Sequence, residues 1–137
     1  MTMITKQVSI FIENRQGRLA EVCDIIAKNG INIRALSVAD TTSFGILRLI
    51  VDDPERLEGI LRENHITVSI TSVISACIDD RPGGLVELLR LLEDIQIEYM
   101  YTYISISGEA CIVLRVNRDE EAVQRLSKAG FHSPKLK

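Results

Sequence analysis

The sequence predicts an α+β protein built from two tandem βαββαβ units, residues 1–71 and 72–137. Three observations predict it. ENRQGRLAEV and DDRPGGLVEL place Gly17 and Gly83 66 positions apart, each with an arginine two residues before and a leucine two residues after. Around both turns, apolar residues alternate at period two and then recur at helical spacing, in the same order. No Gly-, Pro- or Ser-rich spacer separates the halves, so the two units are expected to be held rigidly against each other.

Each element follows in turn. Val8, Ile10 and Ile12 alternate with polar partners over 6–12, the pattern of a strand. Residues 14–18 turn the chain. Leu19, Val22, Cys23 and Ile26 then recur at i, i+3, i+4 and i+7, one face of a helix. Asn29-Gly30 ends that helix, glycine being suited to the left-handed cap. Residues 31–38 form a second strand, 40–43 a turn and 44–51 a third strand. Pro54 after Asp53 opens a second helix with Leu57, Ile60 and Leu61 as its stripe. A fourth strand covers 66–70.

The second unit repeats the order. Residues 72–78 are a strand and 79–84 the turn; Leu85, Leu88, Leu89 and Leu92 make the helical stripe. Strands follow at 97–105 and 110–116. A helix over 119–129 carries Ala122 and Leu126. Leu61 aligns with Leu126 at an offset of 65, so one residue is missing near the third strand. The fourth strand is left to 131–136, a short segment containing Pro134 and suited to an edge.

A βαββαβ unit puts both helices on one face of an antiparallel sheet. The other face stays bare and the outer strands keep unpaired backbone. A unit of this size buries a modest fraction of its surface, so a second unit or a second chain is the expected cover. A homodimer is expected for that reason.

Composition narrows the function. A net charge of −3 and a pI near 5.4 oppose binding to a phosphate backbone. No apolar run reaches the length of a membrane helix, and MTMITKQ lacks a secretory apolar region. Cys23, Cys77 and Cys111 are odd in number and far apart in sequence, which fits reduced thiols in core positions of a cytoplasmic protein. There is no metal-ligand spacing, no phosphate loop and no nucleophile with a histidine partner, so no metal, cofactor or catalytic residue is expected. His65 and His132 are isolated and read as surface or loop residues.

The repeated turn is the candidate site. Glycine before a helix permits a sharp turn and a close approach. The first helical N–H groups lack internal partners and face the loop at the positive end of the dipole. They suit a carboxylate, while Asn14 and Asp80 stand where a side-chain oxygen can receive an ammonium group. The same residues also suit plain helix N-caps. On chemistry alone both readings stand.

The βαββαβ order, the turn with Asn14 or Asp80 and then Gly17 or Gly83, and Gly30-Ile31-Asn32-Ile33 entering the second strand together resemble an ACT domain, repeated over nearly the whole chain. ALSVADTTSFGILRLIVDD, DRPGGL and IEYMY resemble the stand-alone tandem ACT proteins of bacteria. The resemblance implies ferredoxin-like units that sense small molecules, most often amino acids. It also implies a ligand at an interface between ACT units, between the first loop of one and the second strand of its neighbour. Carried over, the site is Asn14, Arg15, Gln16, Gly17, Arg18 and Leu19 with Asn32 and Ile33. In the second unit it is Asp80, Arg81, Pro82, Gly83, Gly84 and Leu85 with Glu98 and Tyr99. Gln16 stands where the second loop has Pro82, and Glu98 is matched with Asn32, so the two sites are unequal.

Tyr99, Tyr101 and Tyr103 share one strand face, either as interface packing or as an aromatic wall for a ligand. Arg48 inside the third strand lies on the open face or pairs with a carboxylate, Asp40 being one candidate. The function expected is a non-enzymatic, amino-acid-binding regulatory protein, with a partner enzyme as its readout. The alternative is a ligand-free dimerisation or docking module. An RNA-recognition fold shares the element order, but the strands 44–51 and 110–116 lack the required run of aromatics.

Overall fold

The computed structural model describes residues 3–40 and 44–134. Six antiparallel strands and four helices follow the order β1 (Ile4–Glu13), α1 (Arg18–Lys28), β2 (Ile33–Asp40), β3 (Phe44–Val51), α2 (Pro54–Glu63), β4 (Thr67–Cys77), α3 (Gly84–Arg90), β5 (Ile97–Ile104), β6 (Ala110–Val116) and α4 (Asp119–Lys128). The chain divides into two compact units. One is Lys6–Thr71; the other joins Met1–Thr5 to Ser72–Lys137. The turn expected at 40–43 falls largely outside the described residues, as does the side chain of Asp40.

In the Lys6–Thr71 unit the strands lie in the order β2-β3-β1-β4. Val8 faces Leu49, Ile10 faces Leu47 and Ile12 faces Gly45. The alternation in β1 therefore puts three apolar side chains on the same sheet face as Leu47, Leu49 and Val51. Val22 and Ile26 of α1 and Leu57 and Leu61 of α2 pack on that face as one buried cluster. Both helices thus sit on one side, as the periodicities require. Asp53 caps α2 by accepting the Arg56 N–H at 3.3 Å, with Pro54 in the first turn. Leu19, expected in the α1 stripe, is instead 40% exposed. It lies in the first turn of α1.

In the Ser72–Lys137 unit the order is β4-β6-β5. Ile74 faces Leu114, and Cys77 faces Cys111. Leu88 of α3, Leu92 just beyond it, and Ala122 and Leu126 of α4 complete a second buried cluster with Ile74, Ile112 and Leu114. Met3 belongs to this cluster and is 2% exposed. The Ser75 N–H donates to the Met3 carbonyl at 2.7 Å.

This corrects the fourth strand expected at 131–136. Residues 131–134 carry no strand, and the remainder lies outside the described residues. The segment is held to β4 where the Cys77 N–H donates to the His132 carbonyl at 2.8 Å. Pro134 has no N–H to extend the ladder, and the start of β1 occupies the neighbouring place on β4. Among the described residues no helix is long and apolar enough to cross a membrane.

Candidate ligand site

The turn that the sequence repeats is the same turn in three dimensions. After β1, the Arg15 N–H donates to the Glu13 carbonyl at 2.9 Å and the Arg18 N–H to the Arg15 carbonyl at 3.2 Å. After β4, the Arg81 N–H donates to Asp79 and the Gly84 N–H to Arg81, each at 3.0 Å. Gly17 and Gly83 then start α1 and α3 with φ of 80° and 89° and ψ of −10° in both. That left-handed conformation is natural to glycine and strained for other residues. In both helices the N-cap residue is the glycine itself, which brings no side chain to the cap. Asn14 and Asp80, three residues before these glycines, are both exposed.

A second repeated feature escaped the sequence reading. The Arg15 guanidinium grips Glu21 through two bonds of 3.1 Å. Arg81 reaches Glu87 at 2.6 Å and Asp79 at 3.3 Å. Each arginine thus folds back over the glycine turn onto a glutamate in the first helical turn. Hydrogen bonds from Arg15 and then Arg18 hold the Glu21 carboxyl below its usual range. The Glu87 hydrogen bond raises Arg81. The signal was present: Glu21 and Glu87 are 66 positions apart, the same offset as the glycines.

The two loops differ in charge and room. The first gathers Glu13, Arg15, Arg18 and Glu21, two acids balanced by two bases. The second gathers Asp79, Asp80 and Glu87 around Arg81 alone. Gly84 stands where the first loop has Arg18. A Cβ at Gly84 would meet the Asp79 carbonyl oxygen at 2.0 Å, whereas one at Gly17 meets nothing within 4 Å. The first loop therefore presents a neutral surface to a carboxylate. The second repels a carboxylate and attracts an ammonium group. A cleft of about 690 Å³ opens beside the second loop, lined by Asp79, Asp80, Glu87 and Glu109 among others.

The expected strand residues are not brought to these loops within a unit. Glu13 lies opposite Phe44 at one end of β3, while Ile33 lies opposite Val51 at the other. At about 3.4 Å per residue that separation is roughly 24 Å. In the other unit Cys77 and Tyr99 likewise face opposite ends of β6, at Cys111 and Arg115.

The register also corrects one match. Asn32 exchanges backbone and side-chain bonds with Asp52, its N–H donating to Oδ1 at 3.1 Å. The same exchange links Gln96 and Asn117, at 3.2 Å. Gln96, not Glu98, is thus the counterpart of Asn32. Both second strands bulge just after this point, between Ile33 and Ala35 and between Ile97 and Tyr99. Glu98 is exposed and paired with Arg115 at 3.8 Å.

Tyr99, Tyr101 and Tyr103 do share one half-buried face of β5. Tyr103 and Ser75 share a hydrogen bond of 2.7 Å. Burial pushes the Tyr103 phenol up to about 12. Its hydroxyl is satisfied inside the unit, which is a structural role. His65 is exposed, as expected of a loop residue.

Known proteins carry the same architecture. The protein BT0572 from Bacteroides thetaiotaomicron is 39% identical with a TM-score of 0.87, the match covering 94% of this chain and 90% of that one. The regulatory subunit of aspartate kinase from Thermus thermophilus matches at 14% identity and a TM-score of 0.63, over 93% of this chain and 95% of its own. E. coli aspartokinase III, solved in complex with lysine and aspartate, matches at 19% identity and 0.55, over 92% of this chain and 32% of that one. The last two likenesses concern the fold. No curated protein matches. A family model described as an ACT domain pair matches residues 1–129. The twice-built glycine turn and the paired α+β units therefore have one source: the chain belongs to the ACT domain pair family, a regulatory type of domain.

Proposed function

We propose that this ACT pair is an amino-acid-binding regulatory protein of the cytoplasm, without catalytic activity of its own. The observation that carries the proposal is the repeated turn: two helix starts at left-handed glycines, which bring no side chain of their own, each with an exposed Asn14 or Asp80 beside it. An α-carboxylate is received by the first N–H groups of the helix, and an ammonium group by the side-chain oxygen. The neutral first loop favours the carboxylate more than the acidic second loop, so the sites are unequal.

Within each unit the second-strand residues Asn32 and Ile33, or their counterparts by register Gln96 and Ile97, stand away from the loop. A second copy of the chain in a homodimer supplies them in this reading. Lysine and aspartate, bound in the E. coli aspartokinase III structure, are the first compounds to test. The readout requires a partner enzyme. A second reading, a ligand-free docking module, is favoured by the edge strands, where Leu36, Val38, Met100 and Ile104 are 41–64% exposed.

A thermal-shift screen against the twenty amino acids separates the two. A ligand at 100 times its Kd stabilises by about 2.7 kcal/mol. A selective shift that Asp80→Ala or Gly83→Val abolishes without unfolding the chain supports the sensor. No shift with any amino acid supports the docking module.

A further inference from the structure

The cleft beside the second loop holds a group of side chains that the amino-acid reading does not use. Cys77 ends β4, Glu109 precedes β6, and His132 follows α4. One ligand atom from each lies within 4.8 Å of the others. We propose that Cys77, Glu109 and His132 form a binding site for a divalent transition metal ion of borderline softness, of the zinc class.

The donor set is the first argument. A thiolate, an imidazole and a carboxylate together suit zinc rather than magnesium or calcium, which take oxygen ligands. Spacing is the second. Cys77 Sγ lies 3.3 Å from Glu109 Oε2. Around a tetrahedral zinc ion, neighbouring ligand atoms lie about 3.3–3.8 Å apart; the Cys77–Glu109 pair already has that spacing. Cys111 stands outside the group. Its Sγ is 4.0 Å from Cys77 Sγ, and its thiol points to the Glu109 carbonyl oxygen at 3.4 Å.

The supports around the ligands are the third argument. His132 Nδ1 bonds to the Ser133 carbonyl at 2.9 Å; a carbonyl only accepts, so Nδ1 is the donor and Nε2 is the nitrogen that a neutral ring offers to a metal. Ser107 Oγ donates to Glu109 Oε1 at 2.9 Å, leaving Oε2 as the oxygen turned to the thiol. The Cys77 N–H bond to the His132 carbonyl, 2.8 Å long, fixes the two backbones side by side. Metal-binding histidines and carboxylates are oriented by partners of this kind. With three protein ligands, the fourth position is left to water from the cleft. Asp79, Asp80 and Glu87 line the same cleft and add attraction for a cation.

Sequence spacing concealed the group. The three residues come from three separate segments, and Cys77 and His132 meet because 131–134 lies along β4 where a strand was expected.

The test uses the full chain, reduced and stripped with a chelator, then titrated with Zn²⁺ against a chromophoric indicator and with Co²⁺ by absorption. One Zn²⁺ per chain is expected, with a thiolate-to-cobalt charge-transfer band that Cys77→Ser removes. His132 is exposed and lies outside any helix or strand, so His132→Ala keeps the fold, checked by circular dichroism. It should weaken Zn²⁺ binding about 100-fold, at or beyond the upper end of the range for losing a supporting partner. Glu109→Gln should weaken it in the same direction. Uptake without fixed stoichiometry, or tight uptake unchanged in both His132→Ala and Glu109→Gln, overturns the proposal.

Discussion

Replacing Gly84 with alanine is expected to damage the protein far more than replacing Gly17, although Gly17 has the more unusual backbone. At Gly17 the added Cβ meets nothing within 4 Å, so the cost is conformational. A non-glycine residue at φ of 80° costs roughly 1–2 kcal/mol. At Gly84 the φ is ordinary, but the Cβ would sit 2.0 Å from the Asp79 carbonyl oxygen. That oxygen belongs to backbone and accepts the Arg81 N–H at 3.0 Å, so it cannot swing aside as a flexible side chain would. The turn itself must open. Alanine recovers at most about 1 kcal/mol of helix propensity. A 2.0 Å approach to fixed backbone lies beyond ordinary overpacking and costs about 4 kcal/mol or more, so the net loss is about 3 kcal/mol or more. For a chain of this length about 4 °C of melting midpoint is lost per kcal/mol. Calorimetry of the two variants should then give a fall of about 4–8 °C for Gly17→Ala and about 12 °C or more for Gly84→Ala. Equal falls, or a larger one at Gly17, would refute the steric account of why Arg18 has no counterpart in the second loop.

Other outcomes follow from burial and charge. Leu57→Ala and Leu126→Ala each truncate a fully buried side chain and should cost about 2–5 kcal/mol in urea denaturation. Leu19→Ala, at 40% exposure, should stay within about 0.5 kcal/mol. The hydrogen bond from Arg125 holds Asp94 down to about 2. A depressed carboxyl stabilises the fold above its unfolded value near 4 and loses that effect as pH falls through about 2. The melting difference between wild type and Asp94→Asn should accordingly be present at pH 5 and vanish near pH 2. Met3→Ala should lower hydrogen-exchange protection in α4 and β6 before it affects α1 and β3, because Met3 packs in the cluster of the Ser72–Lys137 unit.

Local periodicity made most of the fold legible. The stripes in α1, α2 and α4 and the alternation in β1 and β3 are set by burial on one face, and burial repeats where the residues repeat. Offsets were less legible. The loops match at 66, yet Asn32 corresponds to Gln96 at 64 and Leu61 to Leu126 at 65. Two residues are lost where α1 ends in Asn29-Gly30 and α3 ends without an equivalent; one is regained in the hairpin before β6. Deletions inside turns leave apolar spacing intact on either side, so a constant offset slides past them. The glycine turns were read correctly because φ near 80° demands glycine. The Arg15–Glu21 and Arg81–Glu87 clasps were missed because a salt bridge over six residues fits neither helical nor strand spacing. The neighbours of Cys77 were hidden for a different reason, since their meeting depends on which segment fills the edge of β4.

That edge has a consequence for biosynthesis. The backbone that partners Ser75 is Met3, made before the whole Lys6–Thr71 unit. The earlier unit has all its strands once Thr71 is made, but the later one must recruit a segment that left the ribosome long before. Until then Met3 lacks its partner on β4, and the nascent chain carries an open edge that other chains can occupy. Closing so long a loop slows the final step of folding. It also ties the residues just before β1 to a distant part of the chain: a change at Met3 would be felt in the unit that holds Cys77, Glu109 and His132.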